Sequence, residues 1–205
     1  EIPISADFKP KRLRAYKVPE AYQTEVSRQI QELLSLGFIE ESTSPQASPL
    51  VVVLKAKDAN GNRAVRLAID YRYVNQHTAP SVAPLEDISE IIQQVGKSNF
   101  ISSFDAKSGY HQCLVKPEDR WLTSFVCNDG QFQWTRTPFG MRSSGTTFVR
   151  AVKRMLRPIR DHTKSYVDDM AVHSDNFQDH LHHIDCYLNV MKSAGFTLGL
   201  KKSEL

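Results

Sequence analysis

Apolar residues recur with the spacing of an amphipathic helix in four segments of the chain. The segments are 26–34, 88–95, 143–156 and 177–188. Gly37 and Gly195 follow the first and the last of them, and glycine is the residue type that most often ends a helix. Pro158 ends the third in the same way, because proline cannot continue a helix. The pattern therefore predicts four helices.

Shorter runs rich in β-branched and aromatic residues predict strands. The runs are 50–57, 64–74, 100–105, 122–127, 131–136, 165–168, 170–173 and 196–200. Asn60-Gly61 and Asn128-Asp129-Gly130 separate consecutive runs and predict hairpin turns. Residues 1–23 predict an extended arm, and residues 44–49 predict a loop. Hairpins interleaved with helices predict an α+β fold.

Composition limits the class of protein. The chain has 205 residues, of which 40% are hydrophobic and 24% charged, as expected for one domain or a domain of two lobes. No apolar run approaches the ~18 residues of a membrane span, so we expect no membrane partner. The first residues do not form a signal peptide, and the absence of an initial Met suggests a piece of a longer chain. The net charge of +3 permits a nucleic-acid partner without requiring one.

Cysteine and histidine spacing gives no framework for a disulfide or a zinc site. Cys113, Cys127 and Cys186 are far apart, which predicts free thiols in a reducing compartment. His180 and His183 could share one face of a helix, but no cysteine or second pair accompanies them along the sequence. We therefore interpret residues 180–183 as part of a solvated helix rather than as zinc ligands.

The candidate chemistry lies in three aspartates. Asp168 and Asp169 are adjacent carboxylates between two short β-favouring runs, an arrangement that a divalent cation would relieve of its repulsion. Asp105 ends another strand, before Lys107-Ser108-Gly109. Phosphoryl transfer with two metal ions needs hard oxygen ligands from separate elements. An isolated Asp-Asp pair is more often an exposed acidic turn. The third carboxylate, Asp105, favours the metal-site hypothesis instead.

Five ordered blocks carry a resemblance over nearly the whole chain. They are Leu-Gly-Phe-Ile-Glu-Glu-Ser-Thr-Ser-Pro (36–45), Arg-Leu-Ala-Ile-Asp-Tyr-Arg-Tyr-Val-Asn (66–75), Phe-Asp-Ala-Lys-Ser-Gly-Tyr-His-Gln (104–112), Thr-Pro-Phe-Gly-Met (137–141) and Tyr-Val-Asp-Asp (166–169). Together they resemble the reverse transcriptases of gypsy-like long-terminal-repeat retrotransposons and, more distantly, those of retroviruses.

The resemblance implies the fingers and palm of a right-hand polymerase, with the palm an antiparallel sheet backed by helices. It implies fingers at about 1–80 and 113–143, and a palm at about 81–112 and 144–205. Members of the family continue beyond residues 201–204 into a thumb and a ribonuclease H domain. We therefore expect a reverse transcriptase domain whose palm is truncated at its C-terminus, with the thumb absent and supplied by a larger polyprotein.

The resemblance also implies residue roles. Asp105, Asp168 and Asp169 would bind two Mg²⁺ ions, with Mn²⁺ as an alternative, and the backbone carbonyl of Ala106 would contact the nucleotide-bound ion. The nucleotide-binding residues would be Arg66, Lys55 or Lys57, Tyr110 and Phe139. The template–primer contacts would be Arg150, Lys153, Arg154, Tyr166 and Val167. Without the resemblance, Arg66 and Lys57 would be interpreted as strand charges paired with Asp58 or Asp70, Tyr110 as a core aromatic, and Arg150 to Arg154 as a solvated face.

The predicted function is an RNA- and DNA-templated DNA polymerase that adds deoxynucleotides to a primer. Its partners would be a template with primer and deoxynucleoside triphosphates, and its location the cytoplasm, in virus-like particles, with the nucleus as an alternative. Two other hypotheses remain open: a non-catalytic, domesticated remnant that binds nucleic acid, and an RNA-dependent RNA polymerase. Tyr110 argues against the RNA polymerase, because its ring would exclude a 2′-hydroxyl.

Overall fold

The computed structural model describes residues 1–57, 63–83 and 86–205, apart from the side chains of Lys55 and Lys57. The hairpin turn predicted at Asn60-Gly61 lies outside these residues. The chain divides into two compact units. Unit 1 comprises Glu1–Ser81 and Leu114–Ser144, and unit 2 comprises Val82–Cys113 and Gly145–Leu205.

Helices are interspersed with groups of strands along the chain, and the strands pair mainly antiparallel, as in an α+β fold. The helices are α1 (Glu20–Ser35), α2 (Arg72–Gln76), α3 (Ile88–Val95), α4 (Ser144–Leu156) and α5 (Phe177–Ser193). The strands are β1 (Ile39–Glu41), β2 (Ser48–Lys57), β3 (Arg63–Ile69), β4 (Phe100–Asp105), β5 (Phe125–Cys127), β6 (Gly130–Trp134), β7 (Thr163–Tyr166) and β8 (Asp169–Ser174). Among the described residues, none of these helices combines the length and the apolarity needed to cross a membrane.

Unit 1 is built on a five-stranded sheet in the order β1-β6-β5-β2-β3. Its neighbours are antiparallel except β2 and β5, which pair in parallel through Ser48 and Pro49. Helix α1 buries Val26 and Ile30 in the same apolar cluster as Phe125. The helix ends as predicted at Gly37, which has a φ of +65°.

Unit 2 is built on a three-stranded antiparallel sheet in the order β4-β8-β7. Phe104 of β4 and Met170 of β8 lie opposite each other and are buried. Phe148 of α4 and Tyr187 of α5 are fully buried in the same cluster, so both helices cover this apolar face. The prediction of an antiparallel sheet backed by helices is confirmed for this unit.

The strand predicted at 64–74 is wrong in its second half. Strand β3 ends at Ile69, and helix α2 begins at Arg72. Asp70 accepts hydrogen bonds from both the backbone and the guanidinium of Arg72, which turns the chain away from the sheet. Tyr71 is buried and donates its hydroxyl hydrogen to Thr123, so burial fixes the turn although the residues themselves favour a strand.

The strand predicted at 196–200 is also wrong. Leu198 makes only an isolated bridge to Ala106, and a 3-10 turn follows at Leu200–Lys202. A second isolated bridge joins Glu204 to Ser103. The backbone N–H of Gly199 donates to the carbonyl of Asp105, so this segment follows the edge of β4 without forming a continuous ladder.

Two further strand boundaries differ from the pattern. The strand predicted at 122–127 begins only at Phe125, because residues 117–123 form a 3-10 helix. Strand β2 begins at Ser48, inside the predicted loop 44–49, because its first residues pair with β5. Both differences depend on pairing partners that are distant in sequence.

Candidate active site

The tightest turn of unit 2 carries the paired aspartates. Tyr166 and Asp169 pair across β7 and β8, so only Val167 and Asp168 connect the two strands. Val167 has a φ of +57°, in the left-handed region that a β-branched residue rarely adopts. Such a conformation costs about 1–3 kcal/mol, which the surrounding hairpin must offset. The turn places Asp168 at an exposed tip.

Strand register brings the third carboxylate to the same place. Asp105 is the last residue of β4 and lies directly opposite Asp169 in the antiparallel pair β4–β8. Residues directly opposite in such a pair project from the same face of the sheet. The adjoining pair, Phe104 and Met170, points to the buried face, which leaves Asp105 and Asp169 on the other. Local alternation therefore gathers carboxylates that are far apart in sequence.

The electrostatics of the site follow from this grouping. Burial raises the pKa of Asp169, and the neighbouring carboxylates of Asp168 and Asp105 raise that pKa further. Lys202 opposes this shift. Its Nζ lies 3.4 Å from Oδ1 of Asp105, whose side chain is 18% exposed. The sequence did not place Lys202 beside Asp105, because only the turn after Gly199 brings it back to β4.

The donor set suits a hard divalent cation. Three carboxylates together with backbone carbonyls are the oxygen ligands that Mg²⁺ prefers. Mutual repulsion of the carboxylates, seen in the raised pKa of Asp169, is what a bound cation would remove. No complete cage is formed by the side chains alone: across residues 1–57, 63–83 and 86–205, no three His, Cys, Asp or Glu residues are grouped to hold a metal ion.

The segment after Asp105 packs closely against α4. Ser108 has a φ of +51°, and a short 3-10 helix begins at Gly109. A Cβ atom on Gly109 would lie 2.8 Å from the ring of Phe148, which is closer than real side chains approach. Tyr110 packs edge-on against the same ring, with 5.4 Å between centroids. Glycine at 109 thus lets the predicted nucleotide-pocket residue Tyr110 lie against α4.

The nucleotide-binding residues predicted in unit 1 are partly described. Arg66 lies on β3 opposite Val53, and its guanidinium is 5.5 Å from the ring centroid of Phe139. Asp70 is paired with Arg72 at 2.6 Å, which disfavours the alternative in which Asp70 holds Arg66. Lys55 and Lys57 both lie on β2, but their side chains fall outside the described residues.

Asn75 is a structural residue of this region that the sequence did not single out. Its side-chain amide donates to the carbonyl of Gly140, and its side-chain oxygen accepts the backbone N–H of Arg142. Both contacts fall on the loop that carries Phe139. One side chain therefore holds the loop at two points, and no local pattern could have revealed it.

The basic face of α4 is engaged within unit 2. Arg150 donates to the carbonyl of Val82, and Lys153 lies 3.6 Å from a carboxylate oxygen of Glu86. Arg154 is exposed. Tyr166 is also exposed, beside the turn.

The prediction of a solvated histidine face is wrong for His180. This residue is only 5% exposed, and its two ring nitrogens bond Ser102 and Ser174. The sequence could not show that the β7–β8 hairpin supplies two more histidines beside α5.

The antiparallel sheet of unit 2, backed by helices and carrying the carboxylates, has the architecture expected for the palm of a right-hand nucleic-acid polymerase. The comparison with family models agrees, since residues 53–205 match the model described as "Reverse transcriptase (RNA-dependent DNA polymerase)". The chain therefore belongs to the reverse transcriptase family.

Individual relatives support the same assignment. The chain is 37% identical over 202 residues, 98% of its length, to the retrovirus-related Pol polyprotein from transposon gypsy of Drosophila melanogaster, and covers 20% of that protein. The fold is similar to that of a prototype foamy virus protease–reverse transcriptase crystal structure. The match covers 100% of this chain and 26% of that one, with a TM-score of 0.85 and 25% identity. A second similar structure is a foamy viral protease–reverse transcriptase in complex with double-stranded DNA. The match covers 100% of this chain and 35% of that one, with a TM-score of 0.84 and 25% identity. The predicted fingers-and-palm fold is thereby confirmed.

The chain spans only a part of each relative: 20% of the gypsy polyprotein and 26% and 35% of the two foamy virus chains.

Proposed function

We propose that the protein containing this chain is an RNA- and DNA-templated DNA polymerase that extends a primer by two-metal phosphoryl transfer. The observation that carries the proposal is the pairing of Asp105 with Asp169 beside the Asp168 turn. Family membership supports it, because the match includes all three aspartates.

Asp105, Asp168 and Asp169 would hold the cations, with the backbone carbonyl of Ala106 as a further ligand. When bound, two Mg²⁺ ions activate the primer 3′-hydroxyl and neutralise the leaving pyrophosphate. The chain's own contribution is to fix the carboxylates on a rigid sheet, where reorganisation during the reaction is small. The strained turn at Val167 keeps Asp168 projecting from the hairpin.

We assign substrate selection to Tyr110, which follows the strand of Asp105, and to the predicted nucleotide-binding residues of unit 1. Tyr110, held against Phe148, would lie under the deoxyribose and exclude a 2′-hydroxyl. Arg66 would bind the triphosphate, with Lys55 or Lys57 as a second cation and Phe139 lining the same pocket. The stacking of Arg66 on Phe139 supports a shared role for these two residues.

Template and primer would contact the basic face of α4 and the catalytic turn. The proposed residues are Arg150, Lys153, Arg154, Tyr166 and Val167. A relative of the same fold was solved in complex with double-stranded DNA, which supports nucleic acid as the partner here. Phosphate contacts of this kind give affinity without sequence preference.

The alternative function is a non-catalytic, domesticated remnant that binds nucleic acid. Retention of Asp105, Asp168 and Asp169 together favours catalysis, because binding nucleic acid alone does not need an Asp169 whose pKa is raised by two neighbouring carboxylates.

A primer-extension assay on the full-length protein tests the proposal. Asp168→Asn should lower the extension rate by about 10²-fold or more, with template–primer affinity retained in filter binding. Asp185→Asn is the matched control, because Asp185 is an exposed carboxylate on α5 outside the site. A wild-type protein that binds template–primer but never extends it would support the remnant instead.

A further inference from the structure

Unit 2 contains a cluster of histidines on the side of the hairpin opposite its catalytic tip. Five of the protein's seven histidines lie there. We call four of them the imidazole cluster: His162 before β7, His173 in β8, and His180 and His183 in α5. The fifth, His182, is exposed on α5. The cluster joins the base of the β7–β8 hairpin to the helix that packs on it.

Serine hydroxyls hold three of the four rings. Ser174 Oγ lies 3.0 Å from Nδ1 of His180 and 2.8 Å from Nδ1 of His183. Ser102 Oγ lies 2.9 Å from Nε2 of His180. Ser98 Oγ lies 3.0 Å from Nδ1 of His173. One hydroxyl shared by two rings acts as donor to one and acceptor from the other, which suits neutral imidazoles.

The remaining contacts also fit uncharged rings. His162 and His183 stack with centroids 3.9 Å apart and planes 8° from parallel, a distance at which two imidazolium ions would repel strongly. Nε2 of His162 and Nε2 of His173 are buried without a hydrogen-bond partner in the described part of the chain. A proton on either nitrogen would create a buried donor without an acceptor. Such a donor costs about 1–3 kcal/mol, and a charged one costs more.

The charged groups that face the imidazole cluster would not compensate the positive charge of protonated rings. Those that face it are Asp161, Lys164, Asp175 and His182, and Lys164 is itself paired with Glu86. Asp161 is 94% exposed and lies 3.9 Å from Arg160. Lys164 adds a positive charge beside His173. Burial, followed by the neighbouring histidines, lowers the pKa of His162, and burial lowers the pKa of His173 and His180 as well.

We propose that the imidazole cluster is an acid-sensitive latch, which holds the hairpin carrying Asp168 and Asp169 against α5 while its rings are neutral and releases it as they gain protons. His173 lies four positions after Asp169 on the same strand, and its N–H donates to the carbonyl of His162 across the hairpin. Release at the base of a hairpin with a two-residue turn disturbs the alignment of its tip with Asp105.

The direction of the effect follows from linkage. His162, His173 and His180 bind protons more weakly in the folded state than in the unfolded state, so protons favour opening. Stability from the latch is full above the unfolded pKa near 6.5 and is lost as the pH falls below that value. Each histidine that stays neutral in the closed hairpin changes the opening equilibrium by up to about tenfold per pH unit.

Two measurements on the unmodified 205-residue chain test the latch. In a proton NMR titration, the midpoints of His162, His173 and His180 should lie below the ordinary histidine value of about 6.5. In hydrogen exchange, lowering the pH from 7.5 to 5.5 should reduce the protection factor of the Val172 amide at least about tenfold. Amides of the β5–β6 pair in unit 1 are the internal control and should change little. Titration midpoints at or above that ordinary value, or equal losses of protection in both sheets, would overturn the proposal.

A variant pair adds a third test. His162→Phe keeps a ring to stack on His183 but cannot take up a proton, so the acid-induced loss of protection should shrink. His182→Gln removes an exposed histidine of the same helix and should leave the loss unchanged. The proposal fails if His162→Phe keeps the full acid response, and the NMR titration decides the question if this variant does not fold.

Discussion

Gly109 is a position at which the packing of unit 2 leaves no room for a side chain. Replacing it by alanine would put the new Cβ 2.8 Å from Cζ and 2.9 Å from Cε2 of Phe148. Phe148 is fully buried and is stacked on Phe196, so its ring has little space to withdraw. We therefore expect Gly109→Ala to destabilise unit 2.

The size of the effect is the difference of two opposing terms. Forcing a methyl group into a packed core costs about 1–3 kcal/mol. Alanine also lowers the conformational entropy of the unfolded chain, which stabilises the folded state by about 0.4–1 kcal/mol. The net expectation is a loss of roughly 1–2 kcal/mol, or about 2–8 °C in Tm for a chain of this length. Urea unfolding followed by far-UV circular dichroism measures this loss.

Two companion variants show whether the ring of Phe148 is the cause. Gly145→Ala is the matched control, because its Cβ would meet only the Tyr110 hydroxyl at an ordinary 3.6 Å, and it should be neutral or stabilise by up to about 1 kcal/mol. Adding Phe148→Leu to Gly109→Ala should recover part of the loss, giving a coupling of roughly 1 kcal/mol. A Gly109→Ala protein as stable as the original would refute the reasoning.

Four further outcomes are expected. Asp169→Asn should raise the free energy of unfolding at pH 7.5 by less than about 1 kcal/mol, because the raised pKa makes the ionised group unfavourable in the folded state, and the gain should disappear as the pH falls below about 4. Asn75→Ala should cost about 1–2 kcal/mol and accelerate hydrogen exchange at the Arg142 amide, whose acceptor it removes. In the full-length protein, Tyr110→Val should lower the ratio of deoxy- to ribonucleotide incorporation. Arg66→Ala should lower kcat/KM for deoxynucleotides while leaving duplex affinity unchanged in filter binding.

Elements with local causes were predictable from the sequence. Helix α3 and strand β4 have the predicted bounds, Ile88–Val95 and Phe100–Asp105. Asp87 caps α3 through the Ser89 amide, and the alternation of β4 puts Phe104 in the core. Here propensity, capping and burial all favour the same structure.

Elements decided by distant contacts were not predictable. The run 64–74 favours a strand by composition, yet the burial of Tyr71 and its hydrogen bond to the distant Thr123 accompany a helical end. The two-point support by Asn75 and the approach of Lys202 to Asp105 join segments that no local pattern connects. The aspartates themselves were identifiable because each closes a strand or a turn.

Unit 1 is formed by two segments that are separated in sequence, Glu1–Ser81 and Leu114–Ser144. This separation has a consequence for synthesis of the chain. Strand β1 pairs with β6, so Ile39 finds its partner only after Trp134 has left the ribosome. All of β4 is made in between, and it too must wait for β8. Because sheet pairing of such long range cannot begin early, both sheets remain incomplete until these partners are made, which leaves Ile39–Glu41 and Phe100–Asp105 unpaired in the meantime. Nascent chains of this protein are thus expected to need chaperone protection until the last strand of each sheet emerges.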